Sequence, residues 1–174
     1  MFDAKYVIFL NRLALSNSEF SCLGWQLKDI LDVVKDLLPP HVWYGADIET
    51  NGEFPWGLGM NSFELKKIGD FSAIRKIAQE TDQFQSGVFI AVKKEVNIEE
   101  GSINVDTMDP PFESRDVDGV LIEIRAFDTS FFQVYSNDYN LMKKISDKYG
   151  VEIDTPQDVA RKYQGHKETS EGST

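Results

Sequence analysis

Side chains on an extended strand return to the same face every second residue. Asp47-Ile48-Glu49 therefore aims two carboxylates in one direction, with His41 a few residues upstream. Paired acids divide general acid and general base work when burial separates their proton affinities. No second histidine lies nearby and no nucleophile motif accompanies the pair, so the expected role is a solvated sheet face. Cys22 is the single cysteine. It has no adjacent Cys or His with which to hold a metal, and its expected place is a buried apolar site.

A concentration of charge is the stronger signal. Residues 95–128 hold Glu95, Glu99, Glu100, Asp106, Asp109, Glu113, Asp116, Asp118, Glu123 and Asp128 against Arg115 and Arg125. That is −8 within 34 residues, so all but −3 of the chain's −11 resides there. A field of one sign over a loop steers a basic partner and sets register on docking.

Patterns that resemble known metal and phosphate sites run through the chain, and each departs from type. Asp116-Val117-Asp118-Gly119 resembles the start of a calcium loop. With Gly119 at the sixth position, however, the twelfth falls on Arg125, where a bidentate glutamate is required. Asp109 or Asp118 followed by Glu123-Ile124-Arg125 loosely resembles the acid and Asp/Glu-x-Lys layout with which nucleases of the restriction-endonuclease type hold magnesium. Arginine stands where that layout has lysine and holds its proton too firmly to replace it. A cross-strand ion pair accounts for Glu123 and Arg125 as well. Gly57-Leu58-Gly59-Met60-Asn61-Ser62, ahead of Phe63 to Lys67, superficially resembles a phosphate cradle opening a helix. It lacks the Gly-Lys-Ser/Thr ending, so a flexible turn is expected. No catalytic residue, metal ligand or cofactor is assigned.

The elements that must position these groups follow from periodicity and punctuation. Tyr6 to Leu10 reads as a strand, because Val7, Ile8 and Phe9 are contiguous β formers. A helix is expected from about Trp25 to Leu38, with Leu27, Ile30, Leu31 and Val34 inward and Pro39-Pro40 as its stop. His41 to Glu49 reads as a strand with one polar and one apolar face. A second helix is expected over Ser72 to Thr81, capped by Asp70 or Ser72, and a strand over Val88 to Val92. Asn97 to Asp118 reads as a long surface excursion with a short strand at Ile103 to Val105.

Val120 to Phe127 and Phe131 to Tyr135 form the best hairpin in the chain, joined by Asp128-Thr129-Ser130. A third helix starts after Ser136 to Asp138 and stops at Gly150, and Asp154-Thr155-Pro156 opens a short fourth. The fold class predicted is α+β: a mainly antiparallel sheet of four to five strands, with three to four helices largely on one face. The expected organisation is one globular domain over 1–164 and a disordered tail over 165–174.

Composition narrows the function. With 41% hydrophobic and 27% charged residues the chain is an ordinary globule, and its net charge of −11 disfavours a nucleic-acid partner. The apolar run Tyr6 to Leu10 is too short to span a membrane, and a lone thiol points to the cytoplasm. The expected function is a non-enzymatic acidic binding module: an inhibitor or immunity-type protein that occludes a basic surface of a partner protein. Glu99, Glu100, Asp106, Asp109, Glu113, Asp116 and Asp118 would stand in for phosphates, with Phe54 and Trp56 as exposed anchors. Two readings compete with it: a metal-dependent hydrolase using Asp118 and Glu123, and a structural accessory subunit whose acidity serves solubility.

Overall fold

The computed structural model describes residues 4–16, 19–52, 61–99, 101–109, 117–159 and 161. The chain forms β1 (Tyr6–Asn11), α1 (Gly24–Val34), β2 (His41–Thr50), β3 (Lys66–Gly69) and α2 (Phe71–Glu80), then β4 (Phe84–Lys93), β5 (Val120–Phe127), β6 (Phe131–Ser136) and α3 (Tyr139–Tyr149). A short helical segment follows at 156–159. The strands make one sheet in the order β1-β6-β5-β4-β2-β3, with every neighbouring pair antiparallel. The α+β class is as expected, with six strands rather than four to five. The unforeseen strand is β3, a lysine-bearing edge that pairs with β2 through Trp43, Tyr44 and Gly45.

One sheet face packs against all three main helices. Leu27, Ile30 and Leu31 of α1, Ile74 and Ile77 of α2, and Leu141 and Ile145 of α3 meet Trp43, Phe89, Ile122, Ile124 and Phe132 there. Local signals set the helix ends. Asp70 Oδ1 accepts from the Ala73 amide at 3.0 Å and Asp138 Oδ1 from the Asn140 amide at 2.8 Å. Gly150, at φ +65°, ends α3. Helix α1 stops at Val34 rather than Leu38, and Leu37 is exposed in the turn that precedes the prolines.

The opposite face is covered too, and this overturns two expectations. Tyr44, Ala46, Val88, Ile90 and Val92 pack beneath Leu65, Val105 and Val117, so β2 is buried on both faces instead of showing one polar side. The described residues within 97–118 are accordingly not simply a surface excursion. Val105 and Thr107 are each 1% exposed, and Val117 is 2% exposed. The Leu65 amide donates to Ile103 at 2.9 Å and the Val105 amide to Phe63 at 2.7 Å, which lays this segment along the chain entering β3. At the far edge the chain after α3 bridges Val7 through Asp154 and brings Val159 against Val7 and Tyr135. Among the described residues no helix is long and apolar enough to cross a membrane.

Candidate functional site

The registers bring several strand ends together. Asn11 pairs with Phe131, Phe131 with Phe127, Phe127 with Ser86 and Ser86 with Glu49. At this end of the sheet β2 breaks its alternation. The register against β4 shifts between Ala46 and Glu49, and Asp47 sits at φ +51° in the left-handed region that Asp tolerates better than most residues. Three hydrogen bonds hold it there. Its amide donates to Ser62 O at 2.7 Å, and its carbonyl accepts from Ser86 Oγ at 2.8 Å. Its Oδ2 accepts from the Thr107 amide at 3.0 Å. The extra residue lets Ile48 enter the helix-side core while Asp47 and Glu49 both border one cleft.

A buried polar network braces the other wall. Glu123 and Arg125 project from one face of β5, each 2% exposed by side chain, and Arg125 Nε donates to Glu123 Oε1 at 2.5 Å. The pair runs along one strand rather than across two. Arg125 Nη1 also donates to the carbonyls of Asp109 at 2.8 Å and Thr107 at 3.4 Å, and the guanidinium lies 5.1 Å over the Tyr135 ring. Tyr135 in turn donates its hydroxyl to Gln133. A buried charge pair is costly to desolvate, and here further hydrogen bonds satisfy the arginine. Its effect is positional: Asp47 holds the Thr107 amide and Arg125 its carbonyl, so residues 107–109 are clamped from two strands.

The result is an open cleft of about 660 Å³. Asp47 and Glu49 come from β2, Phe63 from the approach to β3, and Gln85 and Ser86 from β4; the clamped segment supplies Asp106, Thr107 and Met108, and the β5–β6 turn Asp128 and Thr129. Four carboxylates thus share a cleft with no Lys or Arg among its described lining residues. A smaller cleft of about 370 Å³ shares Phe63 and Asp106 as a common wall and adds Glu64 and Asp109. Thr129 also borders a third cleft, which bears Leu13 and Phe20. Of the seven large apolar side chains exposed among the described residues, four are Leu13, Phe20, Phe63 and Met108, so apolar exposure concentrates at this end of the sheet.

The residues expected to bind a partner are distributed differently from a single loop. Asp106 and Asp109 line the clefts, their side chains accepting from the Met108 and Asp106 amides at 2.7 and 3.1 Å. Glu99 and Asp118 are exposed but do not line them, and Asp118 sits in the turn before β5. Glu100, Glu113, Asp116, Phe54 and Trp56 lie outside the described residues, as do Gly57 to Met60 of the glycine-rich run and the expected tail. Sequence reasoning assigned no binding role to Asp47, Glu49, Thr107, Asp128, Phe63 or Met108. The available signal was an Asp interrupting an apolar strand, which marks a bulge.

Cys22 is fully buried, and burial pushes its thiol up to about 11; Sγ donates to Phe131 O at 3.2 Å. Among the described residues no three His, Cys, Asp or Glu side chains converge as a metal set. No family model, curated protein or solved structure matches this chain.

Proposed function

We propose that this chain is a non-enzymatic binding module that occludes a basic surface of a partner protein, as an inhibitor or immunity-type protein does. The observation that carries the reading is the acid-lined cleft, free of cationic lining residues among those described and bordered by exposed Phe63 and Met108. Carboxylates at an opening raise the encounter rate with a cationic partner, and apolar side chains beside them supply the desolvated contact that holds it. The anionic face is composite, built from β2, the 106–109 segment and the β5–β6 turn. The competing metal-hydrolase reading asks Glu123 to bind a cation at a position where Arg125 already neutralises it.

The test is retention from native extract on immobilised full-length chain, set beside the E49Q/D106N/D128N variant. A basic protein should bind the unmodified chain, leave it as salt rises from about 0.05 to about 0.5 M, where screening shortens to a few ångströms, and pass the variant unretained. Identical retention on both columns, or binding indifferent to salt, overturns the reading.

A further inference from the structure

We propose that the cleft receives an arginine side chain presented on an exposed loop of the partner, an inference that rests on the binding-module reading above. Four acids on a surface would by themselves mark only a solvated patch. Thr107 points further: it is 1% exposed, it lines the cleft, and its Oγ1 has no hydrogen-bond partner. A buried hydroxyl without a partner is costly, and an incoming N–H donor removes that cost. Every charge among the described lining residues is negative, so the donor that fits is cationic.

The flanking side chains select the kind of cation. Phe63 and Met108 are 52% and 74% exposed at the same opening. A guanidinium presents weakly hydrated flat faces that stack on an aromatic ring or lie against a thioether, while its edge donates in a fork to carboxylates. An ammonium is compact and strongly hydrated, and has no such face. The cleft volume falls in the range of roughly 300–1,000 Å³ that encloses a drug-sized group, so an arginine enters together with its neighbours on a loop. The receptor is already organised, because Asp47 is fixed through its own backbone and through the Thr107 amide.

The experiment titrates the isotope-labelled full chain with a capped glycine-leucine-arginine-leucine-glycine peptide and with its lysine and citrulline counterparts, following amide resonances. The arginine peptide should shift Thr107, Met108 and Asp128 saturably with a dissociation constant on the order of millimolar or tighter. Lysine should bind about tenfold more weakly, and citrulline, equal in shape but uncharged, should leave the resonances unmoved. Thr107→Val should weaken the arginine peptide while raising the thermal midpoint of the free protein. F63A/M108A should erase the preference for arginine over lysine.

Equal binding of citrulline overturns the proposal, as do shifts that map elsewhere or no saturable shift at all. If a salt-sensitive partner is nonetheless retained from extract, the binding-module reading stands and only the arginine receptor falls. A dimer in sedimentation that D106N/D128N dissolves would assign the cleft to a second copy of this chain and likewise overturn the proposal.

Discussion

Arg125 shows how one side chain joins the interior to the surface. It neutralises Glu123 beneath the second sheet face and holds the carbonyls that form a cleft wall. Arg125→Met removes the cation that pairs with the buried Glu123 carboxylate, and breaking a buried pair in this way costs about 3–5 kcal/mol. The sign with pH is specific. A buried carboxyl that has lost its neighbouring cation has its pKa raised in the folded state, so its neutral form is favoured and the stability it contributes is lost as pH rises from the unfolded value near 4 through the folded one. The deficit of Arg125→Met should therefore be largest at neutral pH and shrink toward pH 5. Urea denaturation at the two pH values checks it. A second variant separates charge from shape: Glu123→Leu combined with Arg125→Met should recover most of the loss, since well-packed apolar replacements of buried pairs are often neutral. A deficit independent of pH would place the cost in the lost carbonyl contacts instead.

Among the elements, α1 begins in close backbone contact with the end of α2. A Cβ built on Gly24 would lie 1.9 Å from the Thr81 carbonyl oxygen and 2.2 Å from that of Ala78. Both are backbone atoms that cannot swing aside, so Gly24→Ala should cost at least the roughly 1–3 kcal/mol typical of overpacking. The Arg75–Asp32 ion pair joins the same two helices at 2.9 Å, and it lowers the Asp32 carboxyl chiefly through the hydrogen bond from Arg75. Asp32 is 36% exposed there, so Asp32→Ala should cost no more than about 1 kcal/mol. Chemical denaturation of both variants decides whether close apposition or charge holds the pair.

Other elements were legible for related physical reasons. The caps at Asp70 and Asp138, the stop at Gly150 and the hairpin around Asp128-Thr129-Ser130 are local signals, and local signals survive folding. The role of residues 103–107 was not legible in advance. An apolar side chain every second residue looks the same over a core as beside solvent, and polar neighbours hid Val105 and Thr107. The near-continuous run Val88 to Val92 did carry the clue, since a strand apolar on both sides needs cover on both sides. The cleft was least legible, because Asp47, Asp106 and Asp128 meet only through a bulge and two long-range clamps.

At the scale of the whole molecule, a net charge of −11 means that gathering four carboxylates at one opening opposes folding, and selection for stability alone would not gather them. Glu49 and Asp128 are the members most open to solvent, and no side-chain hydrogen bond or ion pair is resolved for either carboxylate among the described contacts. E49Q/D128N should therefore stabilise the free protein by about 0.5 kcal/mol at low ionic strength, the scale of exposed charge interactions. The gain should fade toward zero near 0.5 M salt, where the screening length is only a few ångströms. Neutralising Glu99, which is exposed outside the cleft, serves as the comparison and should gain less. Thermal denaturation across a salt series reads both effects. If the double variant is no more stable than the Glu99 variant at low salt, the carboxylates do not repel one another in the folded state, and the cleft lacks the concentrated field on which partner steering depends.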